Sequence, residues 1–200
     1  NHQYAVAAID GTGNIGPSTK PTNFSVAAPI VETELMPTGA AWRFTVDPAL
    51  APENWQAPAF ADAGWAEGPA KLGFGRSDVA SVIYTAGGPN YPTAGYFRAK
   101  VNVPNPSKYS ELRLELVRDD GAAVSINGVE AFRDNLPDGP LAPTTGAVNV
   151  VEGAAERTPV VYTVPASALQ PGVNTIAVEV HNANKWSGDM GMSMRIVGLS

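Results

Sequence analysis

The chain has no cysteine, and only two of its 200 residues are histidine. Without thiols there is no disulfide framework, no thiol nucleophile and no thiolate zinc site. His2 and His181 lie far apart in sequence, so no His-Glu-x-x-His metal helix exists. Charge is also scarce, at 16% of residues, with 13 Lys and Arg against 19 Asp and Glu for a net charge of −6. A phosphate backbone needs clustered cations, so nucleic acid is excluded as a partner. Neutral polar partners and divalent cations remain compatible. No apolar run is long enough to span a bilayer. Asn1-His2-Gln3 opens the chain without a basic segment and apolar run, so no signal peptide is visible. The chain is expected to be a piece of a longer exported protein.

Catalytic signatures are missing as well. There is no Gly-x-Ser-x-Gly nucleophile elbow and no Gly-rich phosphate loop. A carboxylate pair for glycoside hydrolysis depends on spacing in space. The sequence shows no acidic pair in a setting that obviously raises one pKa, so the chain is expected not to be an enzyme.

What is present is apolar material and turn chemistry. Hydrophobic residues make up 44% of the chain, and Gly 20 with Pro 18 supply about a fifth of it. Gly or Pro interrupts almost every window that could form a long helix. Short strands joined by turns are expected instead. Residues 4–9 read as a small-residue strand, 10–14 as a turn and 23–27 as a second strand. Residues 42–46 alternate apolar and polar. Residues 47–75 read as a long connection that wraps the fold and anchors itself through Trp55, Phe60, Trp65, Leu72 and Phe74. Further strands are predicted over 96–103, 112–118, 122–127, 160–164, 174–181 and 190–197, with weaker ones over 129–132 and 147–151. Asn127-Gly128 between strand-like pairs is a hairpin signal, because both central residues need positive φ. Pro171-Gly172 marks another turn. No βαβ alternation occurs, so the expected class is all-β, an antiparallel β-sandwich.

Two resemblances sharpen this expectation. Tyr4, Val6, Ala8, Asp10, Gly13 and Asn14 fit a Tyr-x-Val-x-Ala-x-Asp strand running into a Gly-Asn turn. This resembles the last two strands of a fibronectin type III domain and covers about 27 residues. Such strands also suit donation to a sheet in a neighbouring chain. The second resemblance covers most of residues 42–198. Phe60 to Trp65 with Lys71 to Gly75, then Tyr96-Phe97-Arg98, then Arg118 to Glu130, then Leu169 to His181, are similar in order and spacing to galactose-binding-like jelly rolls. The expected organisation is 1–28 as fibronectin-like strands, 29–41 as a linker and 42–200 as the jelly roll. The resemblance implies a secreted or cell-surface module, often appended to glycoside hydrolases. Many relatives bind a polysaccharide or other glycan, and some hold a structural calcium ion.

Candidate sites follow on the residues. Asp119 and Asp120 offer adjacent hard oxygens for Ca²⁺; alternatively they bond backbone N–H groups in a tight turn. His181, Asn182, Asn184, Trp186 and Asp189 follow one strand and precede the last. An aromatic face beside amides and carboxylates suits a pyranose, whose apolar face stacks while its hydroxyls pair. The other reading closes the core with Trp186 and bonds His181 to a backbone carbonyl. Tyr91, with Tyr84, Asn90 and Tyr96 around Gly87-Gly88-Pro89, would extend such a platform or pack on the sandwich edge. Glu152, Glu156 and Arg157 either complete a cation site or are simply solvated. The expected function is a carbohydrate-binding accessory module that works beside other domains of the same polypeptide. The alternative is a structural or adhesive module of a surface protein or filament.

Overall fold

The computed structural model describes residues 2–4, 7–17, 22–24, 29–85 and 90–200. Residues 5–6 and 25–27 of the two expected N-terminal strands, and the Gly87-Gly88-Pro89 loop, lie outside these. The chain divides into two compact units, Asn1–Val31 and Glu32–Ser200.

In the first unit, strand β1 (His2–Tyr4) pairs antiparallel with β2 (Thr22–Phe24). The turn expected between them is built by Asp10, whose Oδ1 accepts from the backbone N of Thr12 and of Asn14, each at 2.9 Å. Gly13 completes it at φ 89°, a value glycine adopts without strain.

The second unit is an antiparallel β-sandwich. Its strands are β3 (Glu32–Met36), β4 (Ala41–Thr45), β5 (Ala66–Pro69), β6 (Leu72–Phe74), β7 (Ser81–Val82), β8 (Ala94–Val103), β9 (Glu111–Asp119), β10 (Gly121–Ile126), β11 (Val129–Asp134), β12 (Val160–Pro165), β13 (Gly172–His181) and β14 (Met190–Leu199). One sheet runs β11-β10-β13-β8-β4-β5, and the other β12-β9-β14-β6-β7. Along one edge of β14, β3 takes residues 196–199 and β6 takes residues 190–192. Among the described residues, only the short β6–β7 pair is parallel.

Three expectations change. Glu32–Met36 lies inside the expected linker 29–41, yet it forms β3 and belongs to the sandwich. Residues 147–151 form no strand, and the expected connection 47–75 contains β5 and β6. Both expected turns are present. Asn127 and Gly128 have φ 53° and 85°, and Gly172 follows Pro171 at φ 94°.

Alternation explains the main core. Leu112, Leu114 and Leu116 of β9 point inward and are fully buried, as are Phe97, Ile176, Val178, Met192 and Met194. Each such side chain contributes about 1.5–3 kcal/mol of burial. The central strands β8 and β13 are buried on both faces, because the segment 47–65 covers the outer face of their sheet. There Trp55, Trp65, Tyr96 and Ala177 form a second apolar cluster with Phe60 packed against it. Trp55 meets Tyr96 edge-on at 5.3 Å and Trp65 at 5.8 Å. Beneath the segment, the buried Arg98 donates from Nε to Asp62 Oδ2 at 2.8 Å and from Nη2 to Ala57 O at 3.1 Å. Its Nη1 donates to Trp55 O. Among the described residues, no helix is long and apolar enough to cross a membrane.

Candidate ligand-binding loops

Residues 182–189 connect β13 to β14 and carry an exposed aromatic ring. Trp186 is 69% exposed, the largest aromatic surface among the described residues. It does not close the core. Its backbone N donates to Asn184 Oδ1 at 2.9 Å, an Asx turn that fixes the approach to the ring. Lys185 Nζ lies 5.1 Å from the ring centroid, within cation–π range. The carbonyl of Lys185 accepts from Tyr91 N at 2.8 Å, which ties this loop to the chain entering β8. Tyr91 stacks on Phe74 at 5.8 Å and 9° and meets Tyr84 edge-on at 6.2 Å. Tyr91 therefore braces the loop from inside and leaves Trp186 as the free face.

The structure keeps Asn184 and Trp186 together with Tyr91 against their loop, turns the Asp189 carboxylate toward Arg76 and removes His181 and Asn182 from the loop surface. Both of these are fully buried. His181 Nδ1 lies 2.7 Å from Thr145 O and Nε2 lies 2.9 Å from Glu179 Oε1. Asn182 donates from its backbone N to Thr93 O at 2.8 Å and from Nδ2 to Pro92 O at 3.2 Å. His181 ends the expected strand and Asn182 carries the ladder one residue further, so their side chains point into the fold and hold loops. Tyr96, expected near the platform, is buried beneath Trp55.

Asp119 and Asp120 stand at the break between β9 and β10 and face different partners. Asp120 accepts from Val151 N at 2.6 Å through Oδ1 and from Ala183 N at 2.7 Å through Oδ2. This is the backbone-bonding reading, and it does not make Asp120 a metal ligand beside Asp119. Asp119 joins Glu156 and Asp189, and one oxygen of each lies within 4.8 Å of the others. A guanidinium sits among them. Arg76 Nη1 is 2.6 Å from Glu156 Oε2, 2.9 Å from Asp119 Oδ2 and 4.0 Å from Asp189 Oδ2. Its Nε donates to Asp78 at 3.1 Å, and Lys71 Nζ meets the same carboxylate at 2.7 Å. Glu156 thus belongs to the cluster.

Burial, with the charges of Asp189 and Asp120, raises the Asp119 pKa to about 7 despite its bond to Arg76. Burial and the charge of Glu156 raise Asp189 too. Asp78 is lowered by its hydrogen bonds to Lys71 and Arg76. Sequence reasoning missed Arg76, Asp78 and Lys71. Their only local signal was the unusual grouping of Lys71, Arg76 and Asp78 in a chain poor in charge.

No family model and no curated protein matches the chain. Solved structures of β-glucuronidase from Ruminococcus gnavus are similar in fold. The complex with uronic deoxynojirimycin gives a TM-score of 0.54 at 14% identity, over 85% of this chain and 29% of that one. The complex with D-glucuronic acid gives 0.54 at 15%, over 85% of this chain and 30% of that one. The apo enzyme gives 0.53 at 15%, over 85% and 29%. The chain spans under a third of those enzymes' length. At this identity the likeness is one of fold alone.

Proposed function

We propose that the sandwich is a non-catalytic, carbohydrate-binding accessory module of galactose-binding-like jelly-roll type, within a larger secreted or cell-surface protein. The observation that carries this reading is Trp186. A ring 69% exposed, held by an Asx turn on Asn184 and with Lys185 beside it, costs solvation unless something stacks on it. A pyranose supplies an apolar face for the indole and hydroxyls for the neighbouring polar groups. The similar β-glucuronidase chains are far longer, which supports an accessory role beside a sugar-acting domain. The acidic cluster supports it too, since Arg76 already engages Asp119 and Glu156 and leaves no open acid–base pair there.

Affinity gel electrophoresis against a panel of soluble polysaccharides, with calcium present, tests the reading. At least one glycan is expected to retard the chain, and Trp186→Ala is expected to weaken that retention at least tenfold with an unchanged melting temperature. No retardation by any glycan, or retention that survives Trp186→Ala, refutes it.

The alternative, a structural or adhesive module, draws support from the first unit. A pair of three-residue strands is marginal in water alone. Docking on a further domain or a neighbouring chain would cover it. A strictly monomeric species across concentrations in size-exclusion chromatography counts against docking between chains.

A further inference from the structure

A pocket of about 190 Å³ opens on the outer face of the first sheet, away from the Trp186 loop, and is lined by Trp55, Ser125, Glu130, Arg133, Ala177 and Glu179 among others. The register explains the opening. One row across the strands reads Tyr96, Glu179, Ala123, Arg133, and the next reads Arg98, Ala177, Ser125, Glu130. Ala123 and Ala177 are the small residues of these rows. They leave a floor between the tall walls formed by Trp55 on one side and Arg133 on the other.

The walls are held by a further layer of contacts. Glu179 is nine-tenths buried, and its Oε1 lies 2.9 Å from His181 Nε2. His181 Nδ1 faces the Thr145 carbonyl at 2.7 Å and must donate to it, since a carbonyl only accepts. The contact from His181 to Glu179 fixes the carboxylate against the wall of the pocket. Arg133 is equally fixed. Its Nε and Nη2 each donate to Glu130 at 2.7 Å, and its Nη1 donates to Pro137 O at 2.5 Å and Gly139 O at 3.0 Å. Trp55 is locked between Trp65 and Tyr96. Rigid polar walls of this kind are what a binding pocket needs before its ligand arrives.

We propose that this pocket is a second binding site, taking one uncharged pyranose unit. The choice of a sugar rests on the reading of the domain as a glycan binder; the size and charge come from the pocket. It is smaller than the roughly 300–1,000 Å³ of sites for drug-sized ligands, and one ring with its hydroxyls fills it. An anionic sugar meets Glu130 and Glu179 and only one cation, Arg133, which is already paired with Glu130 and uses four of its five N–H groups. A cationic sugar finds both acids already partnered, Glu179 by His181 Nε2 at 2.9 Å and Glu130 by Arg133 at 2.7 Å. Hydroxyls instead find the Glu179 carboxylate, the Ser125 hydroxyl and the Gln56 amide.

The test is a set of ¹H–¹⁵N spectra of the labelled full chain, titrated with the methyl glycosides of glucose, galactose and mannose, with N-acetylglucosamine, and with glucuronate. Saturable shifts are expected at the amides of Ser125, Gly139 and Glu179 and at the Trp55 indole with at least one neutral sugar, and none with glucuronate. Ala123→Leu, which fills the floor, should abolish them. Glu179→Gln should weaken them about tenfold, and serves alone if the leucine variant fails to fold. Trp186→Ala should leave them intact. The proposal is overturned by no saturable shift with any neutral sugar, by shifts that survive Ala123→Leu or Glu179→Gln, by equal binding of glucuronate, or by their loss in Trp186→Ala. Failure of the loop site reads out separately, as absent retention on polysaccharide gels.

Discussion

Arg76 donates to Asp119 at 2.9 Å, yet the acid's pKa is raised to about 7. Burial and two neighbouring carboxylates outweigh the guanidinium. The consequence for stability has a definite sign. The folded chain holds this proton more tightly than the unfolded chain, whose aspartate titrates near its ordinary value. Stability from Asp119 is therefore lost as pH rises from about 4 to about 7, and is flat above that. The raised Asp189 adds to the same trend. Thermal melts between pH 4.5 and 8 should show a falling limb, and Asp119→Asn should flatten it. A limb of equal slope in both proteins removes the assignment.

The guanidinium also bears on calcium binding. Its Nη1 occupies the space between Asp119 and Glu156, where a Ca²⁺ ion would need to bind their oxygens at about 2.3–2.6 Å. Calcium is expected to leave the melting temperature of the natural chain unchanged. In Arg76→Met the three carboxylates lose their cation, and calcium should then raise the melting temperature through linkage. A calcium-dependent rise in the natural chain, reversed by chelator, would show that the ion displaces Arg76 or binds elsewhere.

Asp120 is a staple for two loops. Its oxygens accept from Val151 N and Ala183 N at 2.6 and 2.7 Å, in a residue 1% exposed. Charge-assisted bonds contribute about 1.5–3 kcal/mol each, so Asp120→Ala should cost about 3 kcal/mol or more in urea unfolding. Because Ala183 opens the loop that carries Trp186, glycan retention should fall in the same variant. A loss under about 1 kcal/mol would show that water replaces the carboxylate at little cost.

The strands were legible where one face is apolar. Leu112, Leu114 and Leu116 alternate with Arg113 and Glu115, and that pattern allows only one orientation of β9. Asn127-Gly128 and Pro171-Gly172 announced their turns by backbone preference alone. β3 was not legible, because it is a polar edge strand. Its Glu32 and Glu34 face solvent and meet Arg113 and Arg195 at 2.5 and 2.7 Å, partners that lie 81 and 161 residues away. The site was half legible for the same reason. Trp186 stands in a short loop between two strands, so its place followed from its neighbours. By sequence His181 and Asn182 group with the loop at the strand's end, and the pairing of His181 with Ala94 and of Asn182 with Thr93 keeps both in the sheet. Arg76 had no local pattern, since Asp119, Glu156 and Asp189 reach it from three separate segments.

Arg98 provides the last test, because it joins the sheet to the segment that walls the face pocket. Its guanidinium serves Asp62, Trp55 O and Ala57 O at once, and its charge lies 5.3 Å from the Phe60 ring. A lysine has a single ammonium and no planar fork, so it cannot span these acceptors. Arg98→Lys should release residues 47–65 from the sheet while the main core stays folded. Trp55 and Trp65 would then meet water, which a red shift of tryptophan emission reports. Limited proteolysis should cut within 47–65 at denaturant concentrations that leave the natural chain intact. The pocket above Ala123 and Ala177 would lose its Trp55 wall, so its sugar-induced amide shifts should vanish with the segment's protection. Intact protection in Arg98→Lys would mean that the aromatic cluster alone holds the segment down.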